Sequence, residues 1–185
     1  MPNEKYSGTV TDLLVHLRQT RVFTDQPIAP EIVDALLKVA RWSGSSKNSQ
    51  PWHFVVVDDP EMLKKLSEAG AFTQFFAGAK LAIVLLMDGG SPRSNAYDEG
   101  RVSERLMLAA EAYGIGSGTG WFSTPDAQQR VRELLGIPDE WDVWSSVAFG
   151  YPDTSASHRA SSAARGRKPM DEIVSYGRFG KKMEQ

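Results

Sequence analysis

Apolar positions recur at helical spacing between residues 30 and 42. Ile32, Leu36 and Ala40 fall on one stripe, with Val33 and Leu37 beside it. Ala29-Pro30-Glu31 opens this helix and Ser43-Gly44 stops it. A shorter helix is expected through Leu13, Leu14 and Leu17, started by Thr9 or Thr11. The period changes to that of strands at His53-Phe54-Val55-Val56-Val57, closed by Asp58-Asp59-Pro60, and again at Lys80–Met87. Pro60 to Glu68 reads as a short helix. The stretch from about Asn95 to Tyr113 reads as the longest one, apolar around much of its C-terminal end and stopped by Gly114. Ile115–Phe122 reads as a glycine-rich strand, Ser123-Thr124-Pro125-Asp126 starts a helix to Leu135, and Val143–Gly150 is the last strand. Met170 to Tyr176 forms a final short helix or arm. Helices and strands alternate, so the class is α/β or α+β.

Composition narrows the picture. The chain has 185 residues, enough for one domain with a sizeable core. Its net charge of -2 argues against a dominant nucleic-acid or anionic-membrane surface. With no cysteine there is no disulfide, no thiolate-held metal and no thiol nucleophile. No apolar run approaches the ~20 residues of a membrane span. The expectation is a single cytoplasmic domain over 1–185, with 1–8 and 153–164 flexible.

The candidate chemistry centres on Ser43-Gly44-Ser45-Ser46-Lys47-Asn48-Ser49-Gln50-Pro51-Trp52. Connectors commonly need about 4–6 residues. This longer one offers hydroxyls, side-chain amides and backbone N–H groups, which suit the flat polar edge of a ligand. The alternative is an ordinary surface loop with Trp52 in the core. Arg18 and Arg21, three apart, are either solvated charges or an anion clamp, since guanidinium forks match phosphate. Arg165-Gly166-Arg167-Lys168-Pro169 is likewise a basic turn or the second half of a phosphate site. His53 reads as a strand histidine rather than a ligand. Phe72, Phe75 and Phe76 read as a core stripe, with a pocket wall as the alternative. Gly116, Gly118 and Gly120 only superficially match a dinucleotide fingerprint, because they follow a helix instead of opening one. Glycines inside a strand point to close approach of another backbone or of a flat ligand.

Taken together, these blocks resemble the nitroreductase family of flavoproteins over nearly the whole chain. The resemblance rests on Arg18-Gln19-Thr20-Arg21-Val22-Phe23, on Ser45-Ser46-Lys47-Asn48-Ser49-Gln50-Pro51-Trp52-His53-Phe54, on Leu108-Ala109-Ala110 through Gly114-Ile115-Gly116, on Gly150-Tyr151-Pro152 and on the basic turn at 165–169. It implies an α+β sandwich, a mainly antiparallel sheet flanked by helices, and an intertwined homodimer with FMN at the interface. It further implies that Arg18 and Gln19, with Thr20 in the same block, contact phosphate and ribityl, and that Arg21 lies near the pyrimidine edge. Ser45, Ser46, Asn48 and Gln50 would form the flavin-edge loop. Gly120 and Trp121 would place a backbone N–H near flavin N5, and Arg165 and Arg167 would add late phosphate contacts. The glycine strand would lie against the isoalloxazine.

The implied activity is ping-pong hydride transfer from NADH or NADPH to a nitroaromatic, quinone or other flat acceptor. It needs no side-chain acid or base and no metal. Alternatives on the same fold are reductive dehalogenation, enal reduction, flavin breakdown, or an FMN carrier or sensor. Leu17 stands where the family pattern commonly has a first arginine.

Overall fold

The computed structural model describes residues 10–156 and 166–182. These fall into two compact units, one ending at Asp153 and one beginning at Thr154. Six α-helices are present among the described residues: α1 (Val10–His16), α2 (Pro30–Arg41), α3 (Pro60–Ser67), α4 (Pro92–Ala112), α5 (Pro125–Leu135) and, in the second unit, α6 (Met170–Ile173). The strands are β1 (Trp52–Val57), β2 (Leu81–Asp88), β3 (Gly116–Trp121) and β4 (Trp141–Gly150).

The helix starts share one device. α2, α3, α4 and α5 each begin on proline, whose fixed φ suits the first turn and whose missing N–H costs nothing there. Asp59, Ser91 and Thr124 accept from the exposed N–H groups of Met62, Ser94 and Ala127. Gly136 ends α5 in the left-handed conformation, at φ 64°.

The four strands form one antiparallel sheet in the order β1-β2-β4-β3. β2 is central, and all of Leu81–Met87 is buried. Its side chains alternate between two cores. Leu81, Ile83 and Leu85 join Leu36 and Ala40 of α2 and Val102, Leu106 and Ala110 of α4. Ala82, Val84 and Leu86 join Leu63 and Leu66 of α3 and Ala127 and Val131 of α5. A strand covered on both faces needs an unbroken apolar run, which is what its sequence carries. This is the expected α+β sandwich with an antiparallel sheet flanked by helices. No helix among the described residues is long and apolar enough to cross a membrane.

Candidate functional site

Two of the stretches singled out in the sequence lie at opposite edges of the sheet. The first runs from Arg18 to Thr24 along β3. Gln19 forms a parallel bridge with Ser117, and Phe23 an antiparallel one with Pro152. The Thr20 N–H donates to the Ser117 carbonyl at 2.7 Å, the Thr24 N–H to Tyr151 at 2.8 Å, and the Asp153 N–H to Val22 at 3.1 Å. Arg18 donates to the carbonyls of Val15 and Leu17, closing the end of α1. Arg21 donates to Gln19 Oε1 at 3.0 Å and lies 5.7 Å from the centre of the Phe75 ring. Arg18, Gln19 and Arg21 are exposed.

This stretch explains the glycine strand. A Cβ at Gly116 would stand 2.6 Å from the Thr20 hydroxyl, and one at Gly118 would stand 2.6 Å from the Thr20 carbonyl oxygen. At Gly120 it would stand 2.6 Å from the Phe76 ring. The close approach predicted from the glycines is therefore made by the chain's own backbone and aromatic side chains. The expectation that a flavin ring fills this glycine face needs correcting, because the face is already occupied. Phe76 is fully buried and meets Phe75 edge-on at 4.9 Å, so these two belong to the core stripe while Phe72 is exposed.

Strand pleating sorts the backbone groups of β3. Ser117 turns its carbonyl outward to Thr20, whereas the Phe122 N–H turns inward to Trp144 of β4 at 2.9 Å. Alternation therefore aims the Gly120 N–H into the ladder, opposite Ser146, and the Trp121 N–H at the outer edge. Of the predicted pair, Trp121 is the one with an amide on the open side.

The second stretch is the loop that enters β1. A single turn of 3-10 helix spans Ser46–Asn48. Lys47, Asn48 and Gln50 sit at φ 52°, 55° and 52°. For non-glycine residues this left-handed conformation costs about 1–2 kcal/mol each. Such strain persists where the surroundings over-determine it, and it clusters at functional sites. Inside the loop, the Gln50 N–H donates to Ser45 Oγ at 2.9 Å and the Gln50 side chain to the Asn48 carbonyl at 3.4 Å. The side chains of Ser46 and Asn48 are exposed and make no hydrogen bond among the described residues. A hydroxyl and an amide, prearranged and unspent, match a ligand edge that alternates carbonyl and N–H groups.

Three residues that sequence reasoning missed hold this loop to α4. Arg105 donates to the Trp42 carbonyl at 2.7 Å, and Arg101 to the Gly44 carbonyl at 2.5 Å. The Ser46 N–H donates to Asp98 Oδ2 at 3.2 Å. Asp98 is only 2% exposed and pairs with Arg101 at 3.5 Å, and Arg101 also lies 4.9 Å from the Tyr97 ring centre. An open cavity of about 420 Å³ lies between Ser45 and Ser46 on one side and Arg93, Ser94, Tyr97, Asp98 and Arg101 on the other. Periodicity could place Asp98 on α4, but not which carboxylate turns inward.

Its neighbour Glu99 also turns inward and accepts from Ser145 Oγ at 2.5 Å. Burial pushes its carboxyl up to about 7; the Ser145 bond opposes this and the nearby Asp142 charge adds to it. Ser145 stands opposite Trp121 in the β3–β4 pair.

The remaining predicted residues divide. Arg167 is exposed in the second unit, and Arg165 lies outside the described residues. His53 is exposed, 5.6 Å from the Trp141 ring, with no metal-ligating cluster among the described residues.

Comparison with known proteins bears directly on this geometry. A model of the nitroreductase family matches residues 17–88 and 70–151. An Archaeoglobus fulgidus protein provisionally named NADH dehydrogenase/NAD(P)H nitroreductase is 41% identical over 143 residues, which cover 73% of this chain and 80% of its own. Iodotyrosine deiodinase 1 of Rattus norvegicus is 37% identical over 199 residues, covering 88% of this chain and 67% of its own. The solved structure of an FMN-dependent nitroreductase from Clostridium difficile gives a TM-score of 0.79 at 27% identity, over 90% of this chain and 98% of that one.

Proposed function

The chain belongs to the nitroreductase family, and from that membership we propose a homodimeric, FMN-dependent oxidoreductase that uses NADH or NADPH to reduce a flat acceptor such as a nitroaromatic or a quinone. FMN, when bound there, would supply the hydride chemistry that links the nicotinamide to the acceptor in ping-pong order. The observation that carries this reading is the loop 45–50, strained into shape with the polar groups of Ser46 and Asn48 free to meet a cofactor edge.

The chain's own residues bind and orient. Ser45, Ser46, Asn48 and Gln50 hold the cofactor edge. Arg18, Gln19 and Thr20 hold the phosphate and ribityl chain, and Arg165 and Arg167 are separate candidates for phosphate contact. Arg21 favours negative charge at the pyrimidine edge and so favours reduction. A charge-assisted contact of this kind contributes about 1.5–3 kcal/mol. The N5 amide is assigned to the Trp121 edge of the Gly120-Trp121 pair, because that N–H faces outward.

The homodimer has its own support. Loop 45–50 feeds β1 and segment 18–21 lines β3, and these are the two edges of the sheet. Three strand spacings separate those edges, roughly 14 Å. A second copy lets the loop of one protomer meet the 18–21 segment of its partner.

A second reading, reductive removal of halogen from an aromatic ring, is supported by the 37% identity to iodotyrosine deiodinase 1.

The test is the visible spectrum of the purified protein before and after anaerobic NADPH or NADH. A flavin spectrum that bleaches is expected. Steady NAD(P)H oxidation with a quinone then separates an enzyme from a carrier, and iodide release from iodotyrosine by the reduced protein separates the second reading from the first. A colourless protein that takes up no added FMN overturns both. Sedimentation equilibrium at the dimer mass is the matching result for the assembly.

A further inference from the structure

The contacts of Asp98, Arg101 and Arg105 with the chain at 42–46 run in order. Arg105 meets Trp42, Arg101 meets Gly44 and Asp98 meets Ser46. The three α4 residues are spaced four and three apart, which puts them on one stripe of the helix. From 98 to 105 the helix rises about 10 Å, while four residues of extended chain span at most about 14 Å. The two runs are close enough in length for the contacts to step along together in opposite directions. All three contacts go to backbone groups of the chain at 42–46, so they fix its path and leave the side chains of Ser46 and Asn48 unspent.

We propose that Asp98, Arg101 and Arg105 are positioning residues, forming a side-chain-to-backbone ladder that holds loop 43–50 in its binding shape before the cofactor arrives. This rests on the reading of that loop as the flavin edge. The loop's own bonds close it on itself, through Ser45 with Gln50, but do not tie it to the rest of the fold. At its start the chain is fixed by the last turn of α2, where the Trp42 and Ser43 N–H groups donate to Lys38 and Ala40. At its end the Asp88 N–H donates to the Pro51 carbonyl at 2.7 Å. Between those anchors the α4 ladder is the hold that keeps Lys47, Asn48 and Gln50 in their left-handed conformations. Gly44 permits the approach, since a Cβ there would stand 3.0 Å from the Arg101 guanidinium. Arg105 is exposed and contributes to neither core, so removing its contact loosens the loop and spares the fold.

The test compares the unmodified protein with Arg105→Ala, Arg105→Lys, Asp98→Asn and, as a control on the same helix, Glu104→Ala. Two quantities are read: the FMN dissociation constant by flavin fluorescence, and amide hydrogen exchange across 43–50 in the FMN-free protein. Arg105→Ala is expected to weaken FMN binding about tenfold and to speed exchange in 43–50 while leaving β2 and β4 amides protected. Arg105→Lys, which keeps a single donor for the Trp42 carbonyl, restores most of both. Asp98→Asn, which keeps an acceptor for the Ser46 N–H but loses the ion pair with Arg101, weakens binding less than Arg105→Ala does, and Glu104→Ala changes neither quantity.

FMN uptake by the unmodified protein separates the two possible failures. Without it, the cofactor reading falls and takes this role with it. With it, unchanged affinity and unchanged loop exchange in Arg105→Ala and Asp98→Asn overturn the ladder alone. Exchange that rises equally in β2 and β4, with no recovery in Arg105→Lys, also overturns it, in favour of a role in general stability.

Discussion

The segment 18–24 is held by its own backbone, whereas the loop 43–50 is held by side chains from a helix fifty residues later in the sequence. The first is stitched to β3 and to the end of β4 by main-chain hydrogen bonds, and seated where glycines leave room. The second is strained and gripped by Asp98, Arg101 and Arg105. The difference lies in what each tolerates. A backbone stitch ignores most substitutions in the segment itself but fails if the opposing strand gains a Cβ. A side-chain grip fails when one distant helix residue changes.

The largest effect expected is on α4, which grips the loop and also reaches β4, the strand paired with β3. Asp98 faces the loop, and Glu99 reaches Ser145, the residue opposite Trp121 on β3. Glu99 stays protonated in the folded protein up to about pH 7, while in the unfolded chain it ionises near 4.5. Between those values the unfolded state loses its proton first, so stability falls as pH rises and levels off above pH 7. The full loss amounts to about 3 kcal/mol. Glu99→Gln should remove this slope in urea melts taken from pH 4 to 8; an unaltered slope would assign it to other groups.

Next in size is Gly118→Ala. Its Cβ would lie 2.6 Å from the Thr20 carbonyl oxygen, a backbone atom that cannot rotate aside. Overpacking of this kind costs about 2 kcal/mol. It should also weaken FMN binding through displacement of Gln19 and Arg21, and equilibrium unfolding with a flavin titration reads both. Unchanged FMN affinity in a destabilised variant would mean that the backbone stitch serves the fold alone.

The smallest effect sharpens the contrast from the other side. Lys47→Gly should stabilise the protein by about 0.5–1 kcal/mol, since glycine takes a positive φ without a Cβ clash. A measured loss would show that loop 43–50 is not strained at Lys47.

Most of the fold was legible in the sequence because its signals are local. Proline at a helix start, glycine at a helix end and the change of apolar period are written within a few residues of each boundary. The two-faced burial of β2 was visible as the run Leu81–Met87. The glycine strand was legible as a place of close approach, but not as to what approaches, because Thr20 and Phe76 reach it from distant parts of the chain. The polar loop was found through its composition. Its grip was not, because Asp98, Arg101 and Arg105 look like any charged helix surface until the helix is placed beside Trp42 and Gly44.

β2 has a further consequence, for biosynthesis. Its seven buried residues gain one neighbour from β1, made just before it, and the other from β4, the last strand of the sheet. While the chain is being made, Leu81–Met87 therefore has one edge uncovered until roughly 60 more residues emerge, about 3–12 s at ribosomal speed. An apolar, β-prone edge exposed for that long is an aggregation hazard. The nascent chain thus needs a chaperone or slow dilution most in this interval, and a truncation that ends before Trp141 should accumulate as insoluble protein.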